Sequence, residues 1–201
     1  MEILTLVALF AAGFYILKSR EQRLRIALLA SHLGRHQIEK LMESLTSGYM
    51  RCLGEDDPAR REQIWALLNT TEEKLSTQFD SFAAEFSRLP EAVTRVSKLP
   101  VAIPMFTHFF PAATFDMRQA LLIHASGIAG VMRNEAGRTP KSKAFTMSAE
   151  LFLMQHTCHW FCKSKTVASA RMLARHQTSY EQLLDAVSPE TRRAYGTLTG
   201  Q

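Results

Sequence analysis

The chain has 201 residues, 46% of them hydrophobic and 21% charged, with a formal net charge of +5. That composition excludes a mainly disordered chain, and 9 Gly with 7 Pro exclude a collagen-like or linker protein. Three Cys are too few, and odd in number, for a disulfide-stapled secreted scaffold.

The first element is an apolar run. Ile3 to Leu17 is 15 residues without a charge, followed at once by Lys18, Arg20, Arg23 and Arg25. As a helix it spans ~22 Å, against a hydrocarbon core of ~30 Å. The stem of Lys18 can extend it by lifting its ammonium to the interface. A signal peptide fits poorly, because Met1-Glu2 is acidic and Phe14-Tyr15-Ile16-Leu17-Lys18 offers no small-x-small cleavage site. A buried core helix is the other alternative. The expectation is a single transmembrane helix within an anchor of residues 1–19. The flanking positive charges would keep the bulk of the chain cytoplasmic, with the bacterial inner membrane as the default. The thiols would then be reduced.

The stretch from Arg20 to Leu53 carries Leu24, Leu28, Ile38, Leu41 and Leu45 at near-helical spacing and reads as a continuation of the anchor helix. Asp57-Pro58 then forms a helix start, a capping carboxylate before a proline suited to the first turn. The helix it opens reaches about Arg88. Its stripe of Ile64, Leu68, Thr71, Leu75, Phe79, Phe82 and Phe86 predicts a core face.

Leu99 to Phe115 is the oddest segment, with three prolines and no charge other than what His108 could carry. The prolines forbid one continuous helix, and the hydrophobicity is wrong for a solvated loop. It reads either as a connector over the domain or as a surface placing Met105, Phe106, Phe109 and Phe110 against a bilayer or partner. A fourth helix is expected from about Thr114 to Arg133, too short between its charges to cross a membrane. Thr139-Pro140 opens a last long helix to about Val187, with a break near Lys163-Ser164-Lys165. Residues 188–201 read as a flexible tail.

The predicted fold class is therefore all-α. It consists of one transmembrane helix followed by an antiparallel bundle of about four long helices over residues 20–187.

The densest chemical candidate is His156, Cys158, His159 and Cys162, a set of soft ligands suited to zinc or a haem iron. The spacing is no recognised metal motif: C-x-x-C and C-x-x-C-H are absent. A fourth zinc donor would come from His124 or His108. A buried aromatic-thiol stripe is the plainer reading. His32 and His36 form an i, i+4 pair without the H-E-x-x-H context. No E-x-x-H, phosphate-loop, dinucleotide or nucleophile-elbow motif occurs, so nothing local supports an enzyme.

Charge is uneven along the chain. Residues 54–98 carry 6 basic and 9 acidic groups, and residues 138–176 carry 7 basic and one acidic. Lys163, Lys165, Arg171 and Arg175 are thus candidates for contact with anionic headgroups or a partner. Nucleic acid is disfavoured, because no motif accompanies the charge. The expected function is a scaffold or interaction module at the cytoplasmic membrane face, without a cofactor and with an unknown protein partner. The alternative is a metal- or haem-binding redox or sensor protein using the cluster at 156–162.

Overall fold

The computed structural model describes residues 2–200. Met1 and Gln201, the ends of the expected anchor and tail, lie outside the described residues. The chain is 79% helical, so the all-α class holds, with one small exception described below.

Helix α1 runs unbroken from Glu2 to Leu33. No anchor boundary falls at residue 19; the helix passes straight from the apolar run into the domain. Its N-terminal half is solvent-exposed, and Leu29 is its one buried residue. The continuous helix expected through Leu53 instead breaks at Gly34–Gln37. Helix α2 (Ile38–Leu53) then turns back to bury Ile38, Met42, Leu45, Tyr49 and Cys52.

Helix α3 (Pro58–Phe86) starts as its sequence signal dictates. The Asp57 carboxylate accepts the Ala59 N–H at 2.9 Å, and Pro58 occupies the first turn. Its predicted stripe is core: Leu68, Leu75, Phe79, Phe82 and Phe86 are all buried. Phe86 continues edge-on to Phe161, centroids 6.1 Å apart.

After a single turn, α4 (Glu91–Thr94), the chain forms strands where the sequence showed none. Strand β1 (Arg95–Ser97) pairs antiparallel with β2 (Thr114–Asp116), Val96 opposite Phe115. Three residues per strand are too few to display an alternating pattern. The ribbon pinches the Pro/Phe segment at its neck. Within that segment lie α5 (Phe106–Phe109) and a 3-10 turn at Pro111–Ala113.

Helix α6 (Met117–Arg133) and helix α7 (Pro140–Cys162) form the middle of the domain. α7 is buried on nearly every side, from Ala144 to Phe161. The long last helix expected from the sequence breaks at Lys163–Ser164, as its sequence suggests, and again before Tyr180, giving three elements. These are α7, α8 (Lys165–His176) and α9 (Tyr180–Ala186), separated where Ser164 and Ser179 cap the next helix. The flexible tail is corrected too. Pro189–Thr199 is helix α10, capped by Ser188, with Thr191, Tyr195 and Thr199 buried.

Candidate functional site

Three regions carry chemistry or unusual surface. The first is the junction of α1 with the domain. Arg25 donates to the Phe161 carbonyl at 3.3 Å and pairs with Glu21 at 2.7 Å. The second Glu21 oxygen accepts the Met105 N–H at 3.1 Å. Lys163 donates to the Gln22 side chain at 3.0 Å. The Pro/Phe segment is thus fastened to α1 one turn past the apolar run. Met105 has φ 62, a left-handed conformation that costs a side chain about 1–2 kcal/mol. Glu21 holds that turn. At the neck, Pro100 accepts both the backbone and side-chain donors of Thr166, and Trp160 donates to the Ser97 carbonyl at 2.9 Å.

Phe115 is buried against Trp160 at the neck, but the exposed apolar residues of the segment lie outside the core. Phe109 is 66% and Phe110 58% exposed, and Met105 is also exposed. Phe106 is half-buried and stacks on Phe110, centroids 5.0 Å apart. The four basic candidates separate into two kinds. Lys163 and Lys165 are half-buried, whereas Arg171 and Arg175 stand exposed one turn apart on α8. The Lys165 ammonium lies over the rings of Trp160 and Tyr180, at 5.2 and 4.7 Å, and burial lowers its pKa.

The second region is the His/Cys cluster, whose donors lie in separate surroundings. His156 Nε2 bonds the Ser169 hydroxyl at 3.0 Å, and the ring stacks on Tyr180. Burial, then the nearby Lys165, pushes its pKa down to about 3. Cys158 donates to Met154 Sδ, and burial raises its thiol far above the ordinary value. His159 is depressed by burial and by Arg171 and Arg175. Burial raises Cys162 to about 11, against the opposing pull of Arg25. Both thiols are therefore protonated at neutral pH. Among the described residues no three His, Cys, Asp or Glu side chains gather as metal donors.

His124, the expected extra donor, belongs to a different network. The Thr157 hydroxyl donates to the Leu153 carbonyl at 2.9 Å, which leaves its oxygen two acceptor sites. His124 Nε2 at 2.9 Å and the Tyr195 hydroxyl at 2.8 Å take them. That assignment makes Nε2 the protonated nitrogen and leaves the buried Nδ1 bare. A second proton would sit on Nδ1 with no acceptor. Burial, then the proximity of His156, accordingly depresses His124 to about 3. The seam is enclosed and offers a substrate no entry. His32 and His36 do not share a helix face, because α1 ends at Leu33. They pack edge-on against Phe86 and Phe82 respectively.

The third region was not legible in the sequence. An open groove of about 670 Å³ lies between the end of α2, the start of α7, and α9. Met50, Leu53, Phe145 and Phe152 line it, and the first three are exposed. It sits toward the opposite end of α7 from α1. Three elements build it, so no local pattern announces it. The one available signal was that Met50 and Phe145 are apolar residues off the buried stripes of their helices.

Comparison with protein-family models, curated proteins and solved structures finds no match.

Proposed function

We propose that the chain is a single-pass membrane-tethered interaction module, with its helical domain in the cytoplasm. One observation carries this reading. α1 is long and apolar enough to cross a membrane, and none of its most apolar stretch is buried. A core helix would have found a partner surface. Here Ile3, Leu4 and Phe10 remain more than two-thirds exposed beside a domain that has otherwise closed its core. The basic residues directly after the run support an inward-facing domain. The distal groove is the surface offered to a protein partner, and its apolar lining suits an amphipathic segment.

The test is extraction and topology of the full chain in bacterial membranes. The expected result is retention through alkaline carbonate and release only by detergent. Protease added to inside-out vesicles should digest the domain, and intact spheroplasts should protect it. Release by carbonate would overturn the tether, and digestion in spheroplasts would overturn the orientation. The metal or haem alternative draws no support from the arrangement of its four residues and is not carried forward.

A further inference from the structure

We propose that the Pro/Phe segment, residues 99–115, is a second membrane contact. It would seat in the headgroup layer of the leaflet that α1 leaves and supply apolar surface that the short span lacks. This rests on the tethered reading above and adds a fixed posture of the domain on the bilayer.

The uncharged run of α1 covers ~22 Å of a ~30 Å hydrocarbon core, a shortfall of ~8 Å. Shortfalls of this kind are met by local thinning of the bilayer or by flanking groups that reach the interface. Glu21 stands four residues past Leu17, ~6 Å along the helix axis. The headgroup layer on each side is itself about 5–7 Å deep. The hydrogen bond from Met105 N–H to Glu21 therefore places the segment at the depth where the span runs out.

The chemistry of the segment matches that depth. It has no Lys, Arg, Asp or Glu from Leu99 to Phe115. Val101, Ile103, Met105, Phe109 and Phe110 are all exposed. Aromatic and aliphatic side chains on an irregular backbone are tolerated at the interface, where water still reaches the peptide groups. Lys18 and Lys163 border the same junction and supply cations toward phosphates. The ribbon neck and the Thr166 bonds make the segment a rigid foot.

The experiment uses the full chain reconstituted into phosphatidylcholine–phosphatidylglycerol vesicles. Either plain lipid or lipid brominated near the acyl carboxyl is used. Phe109→Trp and, separately, Phe145→Trp are compared with the parent, whose Trp65 and Trp160 give the background. Flotation of each sample reports the tether independently. The expected result is that the fluorescence added by Phe109→Trp loses most of its intensity in brominated vesicles. That added by Phe145→Trp, exposed near the far end of α7, keeps its intensity. Equal quenching of the two in protein that floats would overturn the interfacial contact while leaving the tether intact. Failure to float would overturn both. Glu21→Ala in the Phe109→Trp background should reduce the quenching, because the turn at Met105 loses its acceptor; unchanged quenching would refute Glu21 as the positioning residue.

Discussion

Acid should loosen this domain through its two buried imidazoles, by an amount that can be worked out. His124 and His156 are held neutral, each with a pKa pushed from 6.5 down to about 3, chiefly by burial. In the unfolded chain both take a proton near pH 6.5. The unfolded state thus binds more protons across the window from 6.5 to 3, so stability rises with pH there and falls on acidification. At pH 5 each histidine forgoes 1.5 units of protonation, about 2 kcal/mol at 1.36 kcal/mol per unit. The two together amount to about 4 kcal/mol, a large share of the ~5–15 kcal/mol that holds a domain folded. Glu150 works in the opposite direction. Burial raises its carboxyl, so the folded state takes up that proton first and gains from acid. A difference measurement removes that offset. His156→Gln can retain a bond to Ser169 and cannot titrate. Urea unfolding of the full chain in mild detergent, followed by far-ultraviolet circular dichroism, gives the stability of each form at pH 7.5 and 5. The loss on acidification should be smaller in the variant by about 2 kcal/mol. An equal loss in both proteins would refute the assignment of His156 as a buried neutral ring.

The same unfolding assay checks three further expectations. Glu72 is 1% exposed, with one oxygen bonded by Tyr49 and the other paired with Lys143 at 2.5 Å. Lys143→Met should cost about 3–5 kcal/mol by stranding that carboxylate, and adding Glu72→Gln should recover most of it. A Cβ at Gly127 would press on Thr191 Oγ1 and stand 2.6 Å from Glu150 Oε2. Gly127→Ala should therefore cost about 1–3 kcal/mol, despite the better helix propensity of alanine. Tyr195→Ala should cost about 3–5 kcal/mol, the value of a buried aromatic ring. A flexible tail would give no effect there.

What the sequence revealed follows from how local each signal is. The α3 stripe was readable because five large apolar residues recur at helical spacing. The starts of α3 and α7 were readable because Asp57-Pro58 and Thr139-Pro140 each carry cap and first turn side by side. Helix α10 has the same device in Ser188-Pro189, yet its sequence resembles a tail. Its buried positions are Thr191, Tyr195 and Thr199, spaced i, i+4, i+8, with two threonines flanking a single aromatic. Beside the Tyr195 ring, its core contribution is a hydroxyl on the Thr157 network and the Ser188 bonds to Glu150, which hydropathy does not register. The break at Lys163–Ser164 was visible as a charged, capping interruption, whereas the one at Ser179 was hidden, since a serine cap can interrupt a hydrophobic pattern without changing its period. The His/Cys cluster shows the limit from the other side. Spacing on α7 told which residues share a face, but not which neighbour each face meets. Ser169, Tyr180, Met154 and Arg25 come from α8, α9, α7 itself and α1.

Helix α7 joins the two surfaces proposed as functional, and its length sets what the membrane can do to a partner. Phe161 meets α1 at Arg25, and Phe145 lines the groove. The sixteen residue steps from one to the other hold these points ~24 Å apart along the helix. Salt at physiological strength screens charge over ~8 Å, so if α7 stands away from the bilayer in the proposed tether, the field of anionic headgroups would fade well before the groove. Charge on a partner would then affect its capture at the groove only through the groove's own rim, and selection there falls to apolar fit. In the proposed tether the membrane would act on that encounter through α1 instead, by confining the domain to a thin layer and raising the local concentration of anything else held at the same surface. A partner that is itself membrane-bound gains from both terms, whereas a freely diffusing one gains only from the groove.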